Sequence, residues 1–311
     1  MQKRTKFIGV ALALMVLLVG TSSVFAQVQV ADCMACHNDT TVITGKQTGL
    51  SMAVHGTGTA FDYAGGRASC TACHSGASFS AMVAAGQKPN EVEVVTDVTR
   101  QDCRACHQIH TSYTEADWAL ETTAPVNLYA LGETIFDGGK GNLCANCHQP
   151  RRVIAAPDAD GNIDVTSTHW GPHHGPQSAM LLGIGGAGDV AGVASFHYRL
   201  AADTCVTCHV GPNANHTFEA VESTCLDCHA EDQDLAGAQA AVEAKLVELH
   251  DLLEAKGMYH DGHPVVGSYP AAEAEALWNY ILIAVEDGSR GAHNMPYTNA
   301  LLDASIAALK Q

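Results

Sequence analysis

The chain has 311 residues, with 16 Lys plus Arg against 33 Asp plus Glu and a formal net charge of −17. So acidic a surface excludes nucleic acid and anionic membranes as partners and leaves cationic surfaces or a protein with a basic patch. Aromatic residues make up only 6% and glycines number 29, a composition poorly suited to filling a core with side chains alone.

Lys3, Arg4 and Lys6 precede an apolar run from Phe7 to Gly20, and Ser23 and Ala26 offer small residues for cleavage before Gln27. This is the pattern of a secretory signal peptide over residues 1–26. The run is about 14 residues, short of the ~20 that cross a bilayer as helix, so no membrane span is expected in the mature chain. Removing residues 1–26 takes away three cations and no acid, leaving 13 Lys plus Arg against 33 acids and a net charge of −20.

From there the chain spells Cys-x-x-Cys-His six times, and the copies use all 12 cysteines. They comprise Cys33, Cys36 and His37; Cys70, Cys73 and His74; Cys103, Cys106 and His107; Cys144, Cys147 and His148; Cys205, Cys208 and His209; and Cys225, Cys228 and His229. Two thiols three residues apart add across the two vinyl groups of one haem, and the adjacent His then reaches the iron. Zinc knuckles, thioredoxin-like pairs and disulfides also use paired cysteines, but none needs a His after every second one. With 17 His in the chain, six such coincidences have a probability on the order of ten to the minus eight. Six covalently attached haem c groups are therefore expected, with His37, His74, His107, His148, His209 and His229 as proximal iron ligands. No thiol is left for a disulfide or a lipid anchor.

The motif histidines are separated by 37, 33, 41, 61 and 20 residues, too irregular for a tandem repeat of one module. The spacing predicts one integrated haem-binding domain over residues 27–232. The insert between the fourth and fifth motifs, 151–200, holds an acidic turn at 157–162 and a Gly-rich stretch at 183–188. The turn does not fit an EF-hand, and the Gly-rich stretch lacks the Lys-Ser/Thr of a phosphate loop. Beyond the last motif, residues 233–311 change character. Val242, Leu246, Leu249 and Leu253 mark a helix over 235–256; 271–286 reads as a second and 297–309 as a third. Their expected task is to pack on the haem domain. The predicted fold is mainly loops and short α-helices wrapped around a haem stack, with this carboxy-terminal helical segment and very little β structure.

Eleven histidines lie outside the motifs, enough to give every iron a second imidazole. His110 follows His107 by three residues; a helical segment there would project it beside that ligand, able to serve a neighbouring haem. His55, His197 and His216 each precede a motif by a short segment. His169, His173 and His174 crowd one segment, of which at least one is expected to be a ligand. His250 sits beside an apolar stripe, and His260 and His263 flank a loop, where exposure is the simpler reading. A haem held by two histidines has no open position for substrate, which marks an electron carrier.

Thr204 to His209 with His197 before it, Asn215-His216-Thr217-Phe218 before the last motif, His173-His174-Gly175-Pro176-Gln177, and Trp278-Asn279-Tyr280 followed by Gly291-Ala292-His293-Asn294 and Tyr297 together resemble multihaem cytochromes c. Two branches share this vocabulary: the filament-forming extracellular hexahaem cytochromes of metal-reducing bacteria and, more distantly, the ammonia-forming nitrite reductase superfamily. The first branch implies bis-His haems, His197, His216, His293 and one of His173 and His174 as distal ligands, and a His from one subunit completing a haem in the next. In the second, the reactive haem has Lys in place of the motif His, and this chain has no such variant. The expectation is an exported hexahaem cytochrome, periplasmic or extracellular, with no catalytic residues. It would relay electrons to redox partner proteins or extracellular acceptors and self-associate into a filament. The alternative is a periplasmic reductase of nitrite or hydroxylamine with one open haem and His260 or His263 as proton donor.

Overall fold

The computed structural model describes residue 37 and residues 40–93, 97–173 and 175–311. The expected signal peptide, Cys33 and Cys36 of the first motif, and His174 lie outside the described residues.

The described chain is mainly helix and loop with little β structure, the class its composition predicts. Its longer helices are α1 (Thr40–Met52), α2 (Gly76–Ala85), α3 (Gln177–Leu182), α4 (Leu235–Ala255), α5 (Ala271–Tyr280) and α6 (Met295–Leu309). Their ends follow local chemistry. Ser75 Oγ accepts from Ser78 N to start α2, and Gly86 ends it at φ 64°, where a Cβ would be strained. Asp234 Oδ1 accepts from Gly237 N at 2.7 Å to start α4. α5 continues without a break into a π-helical segment, Ile281–Asp287, which stops at Gly288. The wider π turn is a device found at functional sites, and this one brings Asp287 to the interior.

The motifs build only single turns. The motif His N–H donates to the carbonyl of its first Cys at 3.0 Å in His74, 2.9 Å in His107, and 2.8 Å in His148 and His229. One such turn sets both thiols on one side with the imidazole following them.

The strands of the described residues form three two-stranded antiparallel ribbons: β1 (Val126–Asn127) with β2 (Ile135–Phe136), β3 (Asn162–Val165) with β6 (Gly267–Pro270), and β4 (Tyr259–His260) with β5 (His263–Pro264). The β3–β6 ribbon ties the insert to the carboxy-terminal region. The acidic turn before β3 is a surface turn closed on itself, with Asp158 Oδ1 accepting from Asp160 N at 2.9 Å and Asn162 N at 2.8 Å.

The largest core lies where the insert meets α4, α5 and α6. Leu249, Leu253, Leu277, Leu282 and Leu301 are wholly buried there, each contributing roughly 1.5–3 kcal/mol. Trp278 packs edge-on to Trp170 and donates to Gly185 O at 3.0 Å. The Gly-rich stretch serves as docking backbone. Asn279 Oδ1 accepts from Ala187 N at 2.7 Å, Tyr297 OH accepts from Gly186 N at 3.0 Å, and a Cβ on Gly186 would strike Leu301 and Tyr297. Around the motifs the apolar clusters are small, one centred on Phe79 and Met82 and another on Leu128 and Phe136. A region so poor in side-chain core matches one organised around large apolar cofactors.

Candidate metal centres

Each of the six motif histidines faces one other histidine, and among the described residues no histidine is used twice. The ring centres are 6.4 Å apart for His37 and His110, 6.3 Å for His74 and His173, and 6.3 Å for His107 and His216. They are 5.9 Å apart for His148 and His55, 6.3 Å for His209 and His293, and 6.0 Å for His229 and His197. Two imidazole–metal bonds of about 2 Å, with about 1.2 Å from each nitrogen to its ring centre, place the centres about 6.4 Å apart across one metal ion. Direct ring contact does not require that spacing in six separate places. Among the described residues no three His, Cys, Asp or Glu side chains gather as a metal cluster, so these histidines occur in twos, unlike zinc ligands.

The partners cross the sequence. His55 precedes the second motif but faces His148 of the fourth; His197 precedes the fifth but faces the sixth; His216 precedes the sixth but faces the third. His110 reaches back to the first. Such interlacing makes residues 37–293 mutually dependent.

The ring nitrogens are oriented for this role. Nδ1 donates to a backbone carbonyl in His107 (Trp118 O, 2.7 Å), His197 (Ala292 O, 2.6 Å), His209 (Phe218 O, 2.8 Å) and His216 (Ala214 O, 2.8 Å). It meets a glutamine Oε1 in His148 (Gln177, 2.9 Å) and His229 (Gln233, 2.8 Å), and the Asp287 carboxylate in His293 (2.6 Å). With the proton on Nδ1, the Nε2 lone pair is left for a metal. Burial lowers the pKa of His148 and of His216, favouring the neutral, ligating form. His55 packs against the rings of His148 and Phe218, and desolvation, then the neighbouring His148, holds its pKa down at about 4. At His293 burial opposes the charge, but the Asp287 carboxylate and its hydrogen bond outweigh that and raise the pKa.

A small cleft of about 30 Å³ is lined by Cys70, Cys73, His74 and His173 together with Cys147 of the fourth motif and Arg151. A cavity of about 590 Å³ opens beside His216, lined by Lys46, Gly49, Asn215 and Val221. On its wall Lys46 Nζ donates to Asn213 O at 2.8 Å and Ala214 O at 2.6 Å, and Gly49 gives His216 room that a Cβ at 3.2 Å would take.

Several motifs approach one another, not always in chain order. The Cys73 and Cys147 thiols lie close enough to shift each other's pKa, as do those of Cys144 and Cys205, and Cys106 lies close enough to Cys144 and Cys147 to perturb both. Cys208 similarly feels Cys225. The ten described cysteines form no disulfide. Thr204 secures the fourth motif to the fifth: its Oγ1 donates to Gly138 O at 2.9 Å, and a Cβ on Gly141 would overlap that hydroxyl. Phe218 lies at a crossing, its ring 5.1 Å from His55 and 5.8 Å from His216 while its carbonyl holds His209.

Two of the partner histidines sit in left-handed backbone, His110 at φ 63° and His173 at φ 77°. Such strain persists only where surrounding bonds enforce it. At His110 they converge on Asp117, a residue only 5% exposed. Its carboxylate accepts from His110 N at 3.0 Å, Ser112 N at 2.7 Å, Ser112 Oγ at 2.5 Å and Tyr113 N at 3.0 Å. Asp117→Ala is expected to destabilise the chain by about 1–3 kcal/mol, since three backbone donors lose their acceptor, and to loosen His110; chemical denaturation and the near-infrared ligand-to-iron band measure the two effects.

The remaining histidines differ. His169 and His263 have ring centres 5.8 Å apart, but both are exposed and neither belongs to a Cys-x-x-Cys-His motif. His250 packs edge-on to Tyr259, and His260 is exposed on the β4–β5 ribbon. The groups that hold the Nδ1 protons carry little signal in the sequence. Gln233, four residues after His229, was open to a helical-spacing argument, whereas Asp287 had no signal apart from its place six residues before His293.

Residues 21–108, which contain the first three motifs, match the family described as cytochrome c7 and related cytochrome c. The match supports a multihaem c-type cytochrome with covalently bound haem c that takes part in electron transfer. No curated protein matches the chain, and no solved structure does. Among the described residues no helix is long and apolar enough to cross a membrane.

Proposed function

We propose that the chain is an exported hexahaem cytochrome c in which six histidine pairs each hold one iron and electrons pass along the motifs that approach one another. The observation that carries this reading is the spacing of 5.9–6.4 Å between His37 and His110, His74 and His173, His107 and His216, His148 and His55, His209 and His293, and His229 and His197. The haem c groups supply a one-electron ferric/ferrous couple. The protein's residues do the rest. Paired cysteines tether each group, the Nδ1 partners fix the imidazoles, and two-sided ligation keeps small substrates from the iron.

Residue contacts suggest the order of travel. His110 lies three residues beyond His107, joining the first and third sites. Cys106, Cys73 and Cys205 join the third, second and fifth motifs to the fourth, and Cys208 with Cys225 joins the fifth to the sixth. The fourth motif is then the branch point.

Because every motif histidine has a partner in its own chain, a filament would assemble by contact between outer sites, not by donation of a ligand from the next subunit. Electron microscopy of the secreted protein is expected to show filaments; monodisperse monomers alone would remove that part of the reading. For the electron carrier itself, coulometric titration is expected to deliver six electrons per chain reversibly, with no steady consumption of nitrite or hydroxylamine. Uptake of fewer electrons, or sustained turnover, would overturn it in favour of the reductase.

A further inference from the structure

The carboxy-terminal region has no haem motif, yet one short stretch of it, 286–293, touches three sites. Gln177, whose Oε1 faces His148 Nδ1, turns its Nε2 to Glu286 O at 2.9 Å and Asp287 O at 3.4 Å. Ala292 O accepts from His197 Nδ1, and His293 itself faces His209. Within this stretch Asp287 stands apart. Its side chain is fully buried, and its carboxylate accepts from His293 Nδ1 at 2.6 Å, Ser289 Oγ at 2.5 Å and Ser289 N at 3.3 Å. Of the seven paired histidines whose Nδ1 partner is described above, six meet neutral oxygens and His293 alone meets an anion.

An anionic acceptor on Nδ1 makes the imidazole more basic and a stronger donor to iron, and its charge stabilises ferric over ferrous iron. We infer that Asp287 is a positioning residue that lowers the reduction potential of the haem held between His209 and His293, setting the fifth site below those whose histidines rest on carbonyl or amide oxygens. This rests on reading that pair as axial ligands. When one electron arrives from a neighbouring site, His293 keeps its Nδ1 proton and Asp287 its charge, so no bond is made or broken and no further reactant is needed. The consequence is direction. Placed between the fourth and sixth motifs, a low-potential site slows electrons crossing to the sixth and favours their retention near the branch point.

The test is spectroelectrochemical titration with low-temperature electron paramagnetic resonance on the six-haem protein, comparing wild type with Asp287→Asn, Asp287→Glu and Ser289→Ala. Asp287→Asn keeps an acceptor but removes the charge. It is expected to move one of the six transitions upward by about tenfold in its equilibrium constant, ~59 mV for one electron, with one low-spin signal shifted and five unchanged. Asp287→Glu should restore most of the shift. Ser289→Ala, which removes a donor competing for the carboxylate, should move the same transition downward, so the inference stays testable if Asp287→Asn loses haem. Unchanged potentials in both Asp287→Asn and Ser289→Ala overturn it. A high-spin signal in Asp287→Asn without a shift of a low-spin transition also overturns it, because Asp287 then merely holds His293 in place. A wild type lacking six low-spin signals would instead refute the axial pairing on which the inference rests.

Discussion

Replacing His293 by Ala is expected to convert one haem in six from low-spin to high-spin and to let the protein bind one equivalent of carbon monoxide. His209 pairs with no other ring among the described residues, so nothing nearby replaces the lost imidazole. The buried Asp287 carboxylate would also lose its strongest partner, and an unpaired buried charge costs about 3–5 kcal/mol, so a lower melting temperature should accompany the spectral change. Ultraviolet–visible spectra of the reduced protein with and without carbon monoxide report the first effect, and thermal denaturation the second. A wholly low-spin variant that binds no carbon monoxide would show that His293 is not an iron ligand. The effect reaches past one site, since the neighbouring Ala292 carbonyl orients His197 and the 286–287 backbone positions Gln177 against His148.

A larger loss is expected from Cys144→Ala combined with Cys147→Ala. These thiols belong to the motif that meets three others, through Cys73, Cys106 and Cys205. Removing its haem would leave His148 and His55 with nothing held between them and would separate the second motif, the first and third, and the last two from one another. The variant should carry five haems at most, melt well below wild type, and show stopped-flow reduction split into three independent phases in place of one connected one. The same change at Cys225 and Cys228, at the end of the series, should cost one haem and leave the other five exchanging electrons together. Equal effects from the two double variants would contradict the branch-point role of the fourth motif.

The residues that bind could be read from the sequence to the extent that their chemistry is local. A Cys-x-x-Cys-His turn is complete in five residues, and the helical periodicity of 235–256 lies in its own leucines; the structure forms α4 over Leu235–Ala255. The candidates His55, His110, His173, His197, His216 and His293 were singled out by position and resemblance, and the structure sets each of them opposite a motif histidine, with His174 outside the described residues. Which faces which was not legible. His216 stands nine residues before Cys225 yet meets His107, because pairing is decided by how the chain closes around the cofactors and not by distance along it. The Gly-rich stretch and Asn279 were likewise separate features in sequence; only packing joins them, since the bonds between Ala187 and Asn279 span 92 residues. Asp287 was hidden for a third reason. A buried carboxylate and an exposed one look alike in a sequence, and the π-helical turn that carries this one inward has no simple residue signature.

The most direct test of six irons each held by two histidines of one chain is quantitative low-temperature electron paramagnetic resonance of the fully oxidised, monomeric protein. The expected spectrum contains only low-spin ferric haem, integrating to six per chain. A high-spin signal of one spin per chain, or an integral below six in protein of known iron content, would contradict it.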